Sequence, residues 1–237
     1  MLILRHFLAK NNQYFMQKYI RILGLALVLS FFVSCSATRV VKPLKAKEVA
    51  VGLDLGGPMI QFGAPIPIPL TSISAAYGID SMMSVFGGLH TTALAFGNLQ
   101  MDFGIVRDLL PAKGRRPGIS VAPVVNMLIP FSTGEFRLYP ELDINVHWQY
   151  SLKRRNFLYF SFASWFDLWA KKAHAVPNTT RYVPTFALGH TFENKKMRCA
   201  LELRVIAPFT KNNVIVDYIG LGDNGAFGFY FSVNRKF

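Results

Sequence analysis

Seven ionisable residues of this 237-residue chain share one strand parity in two stretches. Arg137, Glu141, Asp143 and His147 lie in "FRLYPELDINVHWQY", and Arg198, Glu202 and Arg204 lie in "MRCALELRV". Acids and arginines at even spacing point to one face of an extended ribbon, where they can neutralise one another across strands. General acid–base chemistry is a poorer fit. Asp143 and His147 are four residues apart, roughly 13 Å along a strand, too far for a direct hydrogen bond. Ser132 and Thr133 stand near Glu135, and His90 and His174 fall near the same end of the pattern; together they are an inventory for a lipid-modifying enzyme rather than a constellation. The five histidines are scattered, with no HExxH and no paired CxxC, so neither a metal nor a cofactor is expected.

The elements that must position these residues are strands. Apolar and polar residues alternate about ten times, as at Val49, Val51, Leu53 and Leu55, at Ile73, Ala75, Tyr77 and Ile79, and at Leu99, Met101, Phe103 and Ile105. The run from Phe136 to Tyr150 would reach roughly 50 Å, well beyond the ~5 to 6 residues of an ordinary soluble strand. An even count returns both chain ends to one side. Short links at 79–81, 109–117, 151–155 and 193–196 then join the ends, and longer ones at 58–69, 91–95, 131–134, 169–179 and 208–224 lie opposite.

The amino end carries an address. Lys18 and Arg21 precede an apolar run from Ile22 to Val33, too short for a comfortable membrane span, in the layout of a secretory leader. Residues 1–34 are therefore set aside as a signal peptide whose true start is suspected at Met16. "FVSC" at 32–35 resembles the lipobox of bacterial lipoproteins, with Phe32 where that family prefers Leu. The resemblance implies acylation of Cys35, with 35–47 as a lipidated tether and 48–237 as the folded domain.

Formal charge is +13, falling to +9 once Arg5, Lys10, Lys18 and Arg21 leave with the leader. The positives cluster between strands, in "AKGRRP", "LKRRN" and "NKKMR", without a helix or RNA-binding signature, so nucleic acid is not an expected partner. Anionic lipid headgroups or a polyanion in the envelope are a better match, and merely soluble turns fit as well.

Alternation alone does not say which face points inward. A soluble lipocalin-like barrel, tethered by its lipid, would turn the apolar face to its cavity; a membrane barrel turns it to lipid. Long strands and aromatics near strand ends (Tyr77, Phe136, Trp148, Tyr150, Tyr182, Phe192) favour the membrane. The last strand, with Phe227, Phe229, Phe231, Val233 and a final Phe237, resembles the terminal strand of bacterial outer-membrane barrels, which the barrel-assembly machinery reads; Arg235 departs from that pattern. The expectation is an all-β, antiparallel up-and-down transmembrane β-barrel of about ten strands, both termini periplasmic, its lumen filled by its own side chains. Its role is expected to be non-enzymatic: envelope-structural, surface-interaction or narrow-channel.

Overall fold

Period-two alternation becomes eleven antiparallel strands among the described residues. The computed structural model describes residues 39–114, 116–150, 155–171, 177–212 and 217–237; the leader and Cys35 lie outside them. The described residues fall within one compact unit. In chain order its elements are β1 (Val49–Phe62), β2 (Ala64–Pro67), β3 (Leu70–Gly78), β4 (Met83–His90), a five-residue helix α1 (Thr91–Ala95), β5 (Asn98–Leu110), β6 (Gly118–Pro130), β7 (Arg137–Trp148), β8 (Phe157–Phe166), β9 (Tyr182–Glu193), β10 (Met197–Lys211) and β11 (Asn224–Lys236).

Ten strands form the wall. Each of β3 to β11 pairs with its neighbour, β1 pairs with β3, and β11 returns to β1, closing the sheet. At the seam, Val49 and Phe237 exchange backbone hydrogen bonds of 3.2 and 2.8 Å. Gly56, at φ 145, sits opposite Tyr230 where a side chain would collide with the β11 backbone, so glycine allows the close approach that closes the barrel. β2 stands apart from the wall. It folds back on the far half of β1 as a short hairpin around Gly63 (φ 77), and its prolines 65 and 67 are tolerable because this is an edge strand. The expected loop at 58–69 is thus largely a hairpin, because β1 continues past the wall.

The wall is inside-out relative to a soluble barrel. Outward positions are apolar and exposed, with Leu53 at 64% and Leu203 at 58%; inward positions are polar and buried, with Asp102 and Asn145 at 0%. The soluble lipocalin-like alternative requires the reverse. Two aromatic belts flank the band: Tyr77, Trp148, Tyr150, Phe192 and Phe237 near the chain ends, and Phe136, Phe166 and Tyr182 near the opposite rim, all exposed. Phe229 and Phe231 face outward as expected, and Arg235 lies 5.2 Å over the Phe237 ring, where a long side chain can keep its charge at the interface.

The turns sort as the even strand count requires. Those carrying Lys113, Arg116, Arg155, Lys195 and Lys196 share the rim with Val49 and Phe237, here called the terminal rim. The opposite loop rim carries β2, α1 and the β6–β7, β8–β9 and β10–β11 connections.

Candidate lumenal site

Many inward positions of the wall on its terminal half are small, among them Ala50, Gly52, Ser74, Ala76, Ser120 and Ala122, beside the larger Phe86, Phe157 and Tyr159. Small residues leave a bore, and the chain fills it with a segment of itself. Residues 39–48, of which 39–47 are expected as part of a tether, enter the lumen from the terminal rim. Glu48 meets Lys236 at 3.5 Å beside that rim. Further in, Leu44 N–H donates to Ser84 Oγ at 2.8 Å, Arg198 Nη1 donates to the Lys42 carbonyl at 3.2 Å, and Ser120 Oγ donates to the Val41 carbonyl at 2.5 Å. Leu44 packs among Ala50, Ala76, Phe86, Val106, Ala122 and Val124, and Val41 packs on Phe157 and Tyr159. The basic segment thus has an apolar foot. Burial is the largest influence on the Lys42 ammonium and pushes its pKa below the ordinary lysine range; Glu193 opposes this and Arg198 adds to it.

Arg39 leads the segment into an acidic girdle. Its guanidinium lies 3.7 Å from Asp143 on β7 and 3.9 Å from Glu202 on β10, with all three side chains buried. Glu202 also receives the Tyr159 hydroxyl at 2.7 Å and pairs with Arg204, whose guanidinium stacks 3.9 Å over the Tyr230 ring. Asn126 donates to Glu141 at 2.9 Å. One level down, Ser161 donates to Asn145, Asn145 to Ser120, and Ser120 to the segment itself, so wall and plug share one hydrogen-bonded chain. Removing one partner from such a buried ion pair costs about 3–5 kcal/mol, because a charge is left without compensation.

The seven expected lumen residues all face inward, but in three groups rather than one network. Glu141, Asp143, Glu202 and Arg204 meet at mid-depth. Arg137 sits near the loop rim, paired with Glu135 at 2.7 Å and 5.5 Å over the Trp169 ring. At the terminal end, Arg198 and Lys236 share Glu193 at 3.1 and 2.6 Å, while His147 faces Asp108 at 3.3 Å. Sequence reasoning missed Arg39, whose partners are more than a hundred residues away, and it missed the pairing of His90 with Asp102 at 2.8 Å. Parity places Asp102 on the polar face, opposite Met101 and Phe103, but does not bring His90 to it.

Catalytic chemistry gains no support from this arrangement. His90 and His147 are each held by a carboxylate, and among the described residues no serine or threonine hydroxyl bonds either ring. Ser132 and Thr133 occupy an exposed turn, and His174 lies outside the described residues. Among the described residues, no three His, Cys, Asp or Glu side chains converge to hold a metal.

Fold and site together define a transmembrane β-barrel whose polar lumen holds residues 39–48 of the same chain in its terminal half. No protein-family model and no characterised protein sequence matches the chain. Among solved structures, the NanC porin is similar at 8% identity and a TM-score of 0.42, covering 80% of this chain and 99% of that one. The translocator domain of the autotransporter NalP from Neisseria meningitidis is similar at 8% identity and 0.44, covering 96% and 98%. Ail of Yersinia pestis is similar at 7% and 0.27, covering 81% and 99%. These are likenesses of barrel architecture alone.

Proposed function

We propose that the chain is a non-enzymatic outer-membrane barrel with a narrow-channel role, closed by residues 39–48 and anchored by lipid on Cys35. The seated segment carries this reading. A barrel built only as a scaffold can fill its interior with wall side chains alone; here the wall leaves room beside Ala50, Ala76 and Ala122, and a separable peptide carrying Leu44 takes it. What fills a bore as a peptide can leave it as a peptide. The leader and the lipobox-like "FVSC" support the anchor, and the outward Phe229 and Phe231 of β11 support recognition by the barrel-assembly machinery. Both termini are then periplasmic, and the basic terminal rim faces the anionic headgroups of the inner leaflet.

The experiment is acyl-chain labelling of wild type and Cys35→Ser with a clickable fatty acid, alongside outer-membrane fractionation and heat-modifiable migration in detergent gels. Labelling confined to wild type, with a heat-modifiable outer-membrane band in both, is the expected result. Equal labelling of the two, or a soluble periplasmic protein, would end this reading. A second role, surface interaction, is favoured by the β2 hairpin, which carries exposed Phe62 and Ile66 beyond the wall at the loop rim.

A further inference from the structure

Between the two rims the wall is more acidic than basic. Asp54, Asp102, Glu141, Asp143 and Glu202 all face inward and are buried, and Arg204 is the wall's one arginine or lysine at that depth among the described residues. Arg39 supplies a second cation, but it belongs to the plug. Above it, two hydrogen-bonded pairs stand side by side, His90 with Asp102 and Asn126 with Glu141. Asp102 and Asn126 are register partners on β5 and β6. Partners in an antiparallel ladder hold their Cβ atoms about 4.5–5.5 Å apart, so the two side chains are neighbours.

Each of them keeps one buried oxygen, Asp102 Oδ1 and Asn126 Oδ1, with no hydrogen-bond partner. Asn126 is 1% exposed and carries no charge of its own, so its orphaned acceptor is an observation separate from the acidic cluster. Two acceptors side by side call for a donor that brings hydrogens to both. Carboxylates beneath them call for a positive charge. A metal ion does not fit, since among the described residues no three ligating side chains converge, whereas a planar or tetrahedral N–H donor does.

We propose that the lumen binds small organic cations of the guanidinium and ammonium class, between the Asp102–Asn126 pair and the carboxylates Glu141, Asp143 and Glu202. Arg39 is a tethered occupant of the lower end of the same site. The inference deepens the narrow-channel reading and rests on it for solute access.

The test uses the full-length chain, wild type and Arg39→Ser, each verified as folded by heat-modifiable migration. Arg39→Gln, which keeps length and amide donors, serves if the serine variant does not fold. Agmatine is titrated by calorimetry against butylurea, which lacks both of its charges, and reversal potentials are measured across planar bilayers in a KCl gradient on the chain lacking residues 39–47. Agmatine is expected to bind the Arg39 variant saturably, and about tenfold or more weakly to wild type and to a variant also carrying Asp102→Asn and Glu141→Gln. The reversal potential is expected to show cation selectivity. Butylurea binding as tightly as agmatine, or a folded Arg39 variant that binds no agmatine, would overturn the site. Agmatine binding without conductance would support the site and contradict the channel; anion-selective conductance without agmatine binding would do the opposite.

Discussion

The ring of Tyr159 on β8 lies across Gly189 on β9, in the space that a Cβ there would fill, and this lets its hydroxyl reach Glu202 on the next strand at 2.7 Å. Glycine on one strand thereby places a donor two strands from its own backbone. Glu202 in turn faces Arg39 of the plug. Gly189→Ala is expected to push the ring off, breaking the bond to Glu202 and costing about 1–3 kcal/mol. Tyr159→Phe removes the hydroxyl alone and is expected to cost a similar amount, since a buried carboxylate loses its donor. Urea unfolding in lipid vesicles measures both; a double variant no worse than either single one would place the two residues on the same interaction.

Leu203 discriminates the two senses of the barrel. It is outward, central on β10 and 58% exposed. An arginine on the lipid face near mid-membrane costs about 2–4 kcal/mol, whereas a solvent-exposed surface position tolerates it within about 0.5 kcal/mol. Leu203→Arg is therefore expected to lower unfolding free energy in vesicles by the larger amount. Arg235, stacked on Phe237 at the terminal rim, shows where the exterior accepts such a charge.

Anchor and plug draw on the same few residues. Cys35 and Arg39 are separated by three residues, which give the chain about 14 Å at full extension. An acyl chain held in a leaflet is expected to pull against the Arg39 seat. Protease should accordingly cut within 39–48 faster in the acylated protein than in Cys35→Ser, read by mass spectrometry of the fragments. Equal rates would show that the anchor and the seat are independent.

Much of the fold was legible from parity, because a side-chain period of two is a local property and each strand states its own faces. Phe136 to Tyr150 separated its two faces without help from any other segment, strand length and the aromatics near strand ends chose which face meets lipid, and counting strands placed the basic turns on the terminal rim. The plug was not legible. "SATRVVKPLKAK" is small, basic and interrupted by proline, which is also how a solvated tether reads, and only the small residues of distant strands make room for it. Nor could parity tell one network from three, since depth along the axis depends on strand stagger. The β2 hairpin was hidden by its prolines, which suit an edge and look like a loop.

Closure of the lumen by residues 39–48 is the claim on which the account turns, and single-channel recording tests it most directly. Cys35→Ser and the same chain lacking residues 39–47, both shown folded by heat-modifiable migration, are reconstituted into planar bilayers. The account predicts a silent full-length protein and a conducting deletion. A full-length protein that conducts as readily as the deletion, or a folded deletion that stays silent, would contradict it.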